Sequence, residues 1–515
     1  MHDVVIIGGG HNGLVAATVL ARAGLDVVVC ERDSVLGGAA RTEECFDRVP
    51  GLKHSTGAYL LGLMPPEILA LAGDAIRPLR RDPHYVLPTP AGRYLTFGRD
   101  RAATREQLES MFSPADLRAD DALAAELAAL REDLAPAWLA EPVPVEETAE
   151  RYVRPKLRAA FVDLVTGSVV DYLTKFGFAS ELLIAMYAVT DGLSGLTAGP
   201  DTPGTGHNFL VHNMCRLPGS DGTWMVAEGG MGAVSNAFAT AAAGAGASLL
   251  TSAEVNEVTV TGGVARGVAL ADGRELTARA VLAACDPWRA ADLAGDAAPR
   301  EFTDRLAVVR RPGSTLKVNL ALRELPRLTA APDGSPSPWG ATVHLLPDAD
   351  GRPLDALRAM WREVQTGRLA DFPTMEWYVH TTVDPSLQDP GGHHSSALFV
   401  QSVPYEPAGS TWGEALDQYV TRLLSIADEF APGTSELVAD VFALPPPGIE
   451  EHFAITGGHI HHVDNTIAFA DRIPYATGLD GYYAGAAGCH PAGSVIGAAG
   501  YNSAHRILAD LRMIT

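Results

Sequence analysis

Cysteine is scarce in this chain. Its 515 residues hold five (Cys30, Cys45, Cys215, Cys285 and Cys489), an odd number with no Cys-x-x-Cys pair. That excludes a disulfide-stapled fold and a redox dithiol, and it fits a reduced cytoplasm. Cationic side chains are also few: 39 Lys and Arg stand against 62 Asp and Glu, a formal charge of −23. Nucleic acids and anionic membrane surfaces call for the opposite balance, so neither is an expected partner. No run approaches the roughly 18 apolar residues of a membrane-spanning helix. The first strand pattern starts within three residues of Met1, so no signal peptide is expected. The serine-nucleophile signature G-x-S-x-G is missing as well. What remains is an ordinary globular composition, 47% hydrophobic and 20% charged, sufficient for more than one core. A cytoplasmic protein is expected, with no indication of peripheral membrane contact and with its oligomeric state open.

The chain begins VVIIGGGHNG: an apolar strand from Val4, then Gly8-x-Gly10-x-x-Gly13, then an Ala-rich helix over Leu14 to Ala23. Gly8 allows the tight turn, Gly10 lets a pyrophosphate approach the backbone, and Gly13 lets the helix pack on the strand. The free amides and positive end of that helix hold phosphates. A second strand, Asp26 to Cys30, ends at Glu31, 18 residues past Gly13, where an acid binds ribose hydroxyls. These features define a dinucleotide site. Leu36 to Thr42 then read LGGAART, and the pair Gly37-Gly38 with Arg41 suits a longer flavin cofactor that needs a further cradle and a cation.

The fold expected is α/β: a Rossmann-type FAD-binding domain interrupted by an inserted α+β substrate domain. Residues 1–59, 226–289 and 471–515 form the discontinuous FAD-binding domain; residues 60–225 (helical) and 290–470 (mixed sheet) form the substrate domain. Within the second segment, strands are expected over Ala247 to Val260, Ala265 to Leu270 and Glu275 to Leu282, the last two joined by the Asp272-Gly273 turn. Ser113-Pro114 opens a helix whose apolar face carries Leu117, Leu123, Leu127, Leu130 and Leu134. Further strands are expected at Leu316 to Leu322, Glu376 to Thr382 and Ser396 to Val403, and a helix over Trp412 to Phe430. The stretches Ala330 to Pro338 and Pro445 to Pro447 read as loops. In YYAGAAGCHPAGSVIGAAG, from Tyr482, a Gly-rich turn runs into a helix expected to begin near Ser494.

Taken in order, GGGHNG, Glu31, LGGAART, GLKHSTGAYLLGL from Gly51, GGMGAVSNA and GAAGCHPAGSVIGAAG resemble the phytoene-dehydrogenase-like FAD oxidoreductases. The chain is most similar to the branch whose animal members are named "pyridine nucleotide-disulfide oxidoreductase domain-containing protein". Carotenoid desaturases, carotenoid isomerases and flavin amine oxidases are more distant relatives. The resemblance implies that Gly8, Gly10, Asn12 and Gly13 hold the FAD pyrophosphate and that Glu31 and Arg32 lie at the adenosine ribose. Gly38 and Arg41 would cradle the phosphates, and Val255 would meet adenine. Thr56, Gly57, Ala58 and Tyr59 would pass the flavin, with Gly485, Ser494, Val495 and Ile496 along the ribityl chain and ring. Attachment is expected to be non-covalent.

Two residues are candidates for chemistry. Lys317 sits in an apolar strand; in related amine oxidases a lysine there approaches flavin N5 through water. His490 stands in the turn before the flavin-side helix, as a base or as a loop-fixing side chain. The histidines His393, His394, His459, His461 and His462 could suggest a metal, but no ligand set of familiar spacing is completed, so none is expected. The function expected is removal of two hydrogens from a largely apolar organic small molecule by hydride transfer to the flavin. The alternatives are a flavin-dependent isomerase without net oxidation and a flavoprotein with a binding or regulatory role. Leu60, Leu61, Leu63, Met64, Tyr187, Phe209 and Trp224 are candidate pocket residues, or simply core.

Overall fold

The computed structural model describes residues 1–334 and 337–513; Ser335 and Pro336 of the expected 330–338 loop lie outside it. Among the described residues, two seven-stranded sheets organise the molecule. The first is built around five parallel strands in the order Ser248–Leu250, Val27–Cys30, His2–Ile7, Glu275–Ala283 and Tyr482–Ala484. Val255–Thr261 and Val264–Leu270 add an antiparallel meander onto the start of the Glu275–Ala283 strand.

Alternation along these strands covers both faces, which is why they read as unbroken apolar runs. Val4, Ile6, Val27, Val29 and Leu282 pack on Ala17, Leu20, Ile507 and Leu511 of helices His11–Arg22 and Ala498–Met513. Val5, Ile7, Val28, Val281 and Ala283 pack on the opposite side against the meander and Ala290. The expected Ala247 to Val260 strand is two strands, broken at 251–254, where Ser252 has φ 50°.

The second sheet runs in the order Val438–Leu444, Thr315–Leu322, His394–Gln401, Met375–Val379, Thr342–Leu345, Tyr85–Pro88 and Tyr94–Phe97. The last two form a hairpin from a region expected to be mostly helical. Each spans four residues, too few for a strand period to show in the sequence. One face of the sheet (Leu316, Val318, Leu320, Val343, Met375, Trp377, Leu398 and Val400) is apolar and packs on helix Trp412–Phe430, whose limits are those expected. The other face is free to carry polar chemistry.

The rest of the 101–212 region is helical. Helix Pro114–Leu134 starts on a capping box between Ser113 and Asp116. All five of its expected leucines are buried.

Candidate active site

The first strand delivers the chain into the glycine turn, with Gly8 at φ 102°. Gly13 faces Gly8 so closely that a Cβ there would stand 2.2 Å from the Gly8 carbonyl oxygen. Helix and turn therefore meet without a side chain between them. Glu31 ends the second strand, 7% exposed. Its carboxylate accepts from the Gly9 amide at 2.7 Å and from the Asp33 amide at 2.9 Å, which fixes it beside the turn. The second glycine loop lies against the first through a Gly37 amide bond to the Gly9 carbonyl (2.9 Å).

Between these loops opens a cavity of about 150 Å³, lined by Gly8, Gly10, Asn12, Glu31, Arg32, Gly38, Arg41 and Val255 among others. A dinucleotide pyrophosphate fits it: the first amides of a helix lack acceptors of their own, and a Cβ on Gly10 would meet only Gly38 Cα, at 4.0 Å. Arg41 is less free than the sequence implies. It pairs with Asp33 at 3.0 Å and Glu43 at 3.2 Å and lies over the Phe453 ring. Its charge is thus shared with two carboxylates at the cavity wall.

A larger cavity, about 390 Å³, continues from the first through shared wall residues His11, Ala39, Phe453 and Ala487. Gly57, Ala58 and Tyr59 line one side, Ser494 and Val495 another, and the polar face of the second sheet a third. On that face, cross-strand register sets Lys317 opposite Phe399, Phe399 opposite Glu376, and Glu376 opposite His344. All four line the cavity. Strand alternation hides their neighbours Leu316, Val318 and Trp377 in the core behind.

Lys317 is 4% exposed. Its ammonium lies 4.2 Å from the Tyr59 ring centroid and 4.7 Å from that of Phe399, and burial lowers its pKa to about 7. Glu376 accepts from the Tyr378 hydroxyl, from Gln401 Nε2 at 2.6 Å and from Ser194 at 3.3 Å; burial raises its pKa to about 7. Asp191, on the helical side of the same cavity, is also raised to about 7 by burial.

Several expected site residues stand elsewhere. His490 lines neither cavity. Its Nε2 meets the Ala137 carbonyl at 2.9 Å, Trp138 and Phe469 flank the ring, and burial lowers its pKa to about 4. These contacts fit the loop-fixing side of the expectation and set the ring apart from both cavities. Thr56, Gly485 and Ile496 also line neither cavity. Thr56 donates to Glu43, Gly485 permits close packing on Leu282 and Ser503, and Ile496 joins the apolar core. The helix expected near Ser494 begins at Ala498, so Ser494 and Val495 meet the cavity from a non-helical segment.

The wall of the larger cavity mixes apolar with charged side chains. Arg81, Asp191, Lys317, Glu376 and Tyr378 face the larger cavity with Leu60, Tyr187 and Trp224, whereas Leu61, Leu63, Met64 and Phe209 are core. His461 and His462 line this cavity, while His459 pairs with Asp464 and His393 with Asp389. The sequence reasoning missed Glu376, although one signal was there: an acid alternating with Met375, Trp377 and Val379 in a buried strand.

A glycine-loop nucleotide site opening into a cavity roofed by a second sheet defines a two-sheet flavin-dependent oxidoreductase. The chain belongs to the family of flavin-containing amine oxidoreductases, whose description matches residues 13–353. That membership brings FAD as the cofactor. The chain is 33% identical to pyridine nucleotide-disulfide oxidoreductase domain-containing protein 2 of Mus musculus, over 99% of this chain and 94% of that one. Its fold is similar to that of an oxidoreductase from Methanosarcina mazei, with a TM-score of 0.63 and 18% identity over 98% and 100% of the two chains. A putrescine oxidase with putrescine bound superposes with a TM-score of 0.60 and 16% identity, over 99% of each. These agree with the fold class and with the resemblance drawn from the motifs. No helix among the described residues is long and apolar enough to cross a membrane.

Proposed function

We propose that this protein removes two hydrogens from a small organic molecule bound in the larger cavity, with FAD held non-covalently along both cavities. The single observation that carries the reading is the register row Lys317–Phe399–Glu376, which sets an amine and a carboxylate of near-neutral pKa in the cavity adjoining the glycine loops. Bound FAD supplies the hydride acceptor. Glu376 takes the proton that leaves the substrate; its pKa near 7 suits a base at neutral pH. Lys317 places an ammonium at the wall shared by Tyr59 and Phe399, where negative charge is stabilised. Gly8, Gly10, Asn12, Arg32, Gly38 and Val255 hold the nucleotide, with Glu31 at the ribose. The substrate enters between the nucleotide-binding segments (1–59, 226–289, 471–515) and the substrate-binding ones (60–225, 290–470).

Anaerobic mixing of the FAD-loaded protein with a panel of amines, hydroxy acids and saturated acids tests this. A substrate of the proposed kind bleaches the oxidised flavin in a single turnover. An isomerase would turn over only after prior reduction of its flavin, and a binding protein would do neither.

A further inference from the structure

The larger cavity has one corner that the reaction does not use. Arg81 lines it at 5% exposure, fixed by two bonds: Nε donates to the Trp224 carbonyl at 3.0 Å and Nη1 to Thr342 Oγ1 at 2.7 Å. Among the described residues its Nη2 makes no hydrogen bond and no carboxylate forms an ion pair with it. Glu376, whose charge it feels, accepts from Tyr378, Gln401 and Ser194 and makes no ion pair with it among the described residues. Buried charges are ordinarily partnered, because desolvation of a lone one is costly.

The neighbours repeat the pattern. The Nδ1 atoms of His84 and His344 find no hydrogen-bond partner among the described residues. The Tyr85 hydroxyl, beside Thr190, also lacks a bond of good geometry. All three side chains line the same cavity, and the Tyr85 and His344 rings lie 4.8 Å apart. The positions follow from the fold: Arg81 and His84 lead into strand Tyr85–Pro88, which pairs with Thr342–Leu345 through Thr342 opposite Tyr85. One buried cation and a group of unused polar side chains therefore converge at the end of the cavity away from the glycine loops.

Resting on the reading given above, we propose that this corner anchors a carboxylate of the substrate. Arg81 provides the charge, and Tyr85 and His344 provide neutral donors, so the substrate is an organic acid held by its carboxylate. A phenolic or imidazole N–H/O–H donor beside a guanidinium gives the mixed donor set that carboxylate oxygens fill.

The test is calorimetric titration of the FAD-loaded protein with hexanoate and benzoate, each beside its uncharged amide. The wild type should bind the acids at least about 10-fold more tightly than the amides, the usual worth of a charge-assisted hydrogen bond. Arg81→Met should erase that preference, and Arg81→Lys should keep part of it. Should Arg81→Met fail to fold, Tyr85→Phe carries the test: it should weaken acid binding several-fold and leave amide binding alone. Equal affinity for acids and amides, no acid binding, or a preference that survives these changes overturns the proposal. Flavin content measured on the same samples separates the two readings. A protein without FAD fails the functional one, whereas a flavin-loaded protein without the preference fails only this one.

Discussion

Replacing Gly10 by valine should give a folded protein that cannot hold FAD. Gly10 lies at φ −71°, ψ 170°, an extended conformation that a β-branched residue adopts readily. A Cβ there meets nothing but Gly38 Cα at 4.0 Å, so the apoprotein loses no packing. Its stability should stay within about 1 kcal/mol of wild type, with the loss of glycine's freedom acting slightly in its favour. The branched side chain instead fills the space between the two glycine loops. FAD at about 100 times its dissociation constant stabilises the wild type by about 2.7 kcal/mol, and the variant should gain none of this. Thermal unfolding of the apoproteins with and without added FAD, together with flavin fluorescence, measures both quantities. A Gly10→Val protein that keeps its flavin-dependent shift would refute the placement of the pyrophosphate. One that unfolds without FAD would refute the claim that Gly10 faces open space.

Three further outcomes follow from the same geometry. Glu376→Gln should slow flavin reduction by substrate on the order of 10²- to 10⁴-fold. It should also flatten a wild-type rate that rises with pH through about 7, as the carboxyl becomes a base; pre-steady-state mixing across pH checks this. Lys317 has its pKa lowered from 10.5 to about 7, so between those values the unfolded chain holds a proton that the folded one has lost. Stability should therefore rise with pH across that window, and Lys317→Met should remove the rise in urea unfolding and slow air reoxidation of the reduced holoprotein. Acid precipitation should release all of the flavin into solution, since Cys489, the thiol nearest in sequence to the flavin-side turn, lines neither cavity.

The nucleotide half was legible in the sequence because its signals are local. A glycine spacing, an acid at a strand end and an unbroken apolar run each act within a few residues, and helix Trp412–Phe430 carried its own period and capping box. Other features depend on tertiary contacts. The hairpin at Tyr85–Phe97 has four-residue strands stabilised from outside, by pairing with the Thr342–Leu345 strand and by Gln107 of the following helix. Lys317 and Glu376 are 59 positions apart and meet through a register passing over Phe399, which neither segment reveals alone. His490 looked chemical from its glycine-rich turn, but its partner is a carbonyl 353 positions away. Small residues at 493–500 mimic a helix start, yet Gly497 at φ 78° delays it to Ala498. Apolar residues counted along 60–225 could not be sorted into core and lining, since burial looks the same from sequence for both.

The central claim is that the two cavities form one FAD site whose reacting end faces the Lys317–Glu376 row. A high-resolution structure of the FAD-loaded protein tests it most directly. The account predicts the adenosine ribose at Glu31, the pyrophosphate between Gly10 and Gly38, and the ring system in the larger cavity beside Tyr59 and Ser494. A ring outside that cavity, or one separated from Lys317 and Glu376 by other protein, would contradict it.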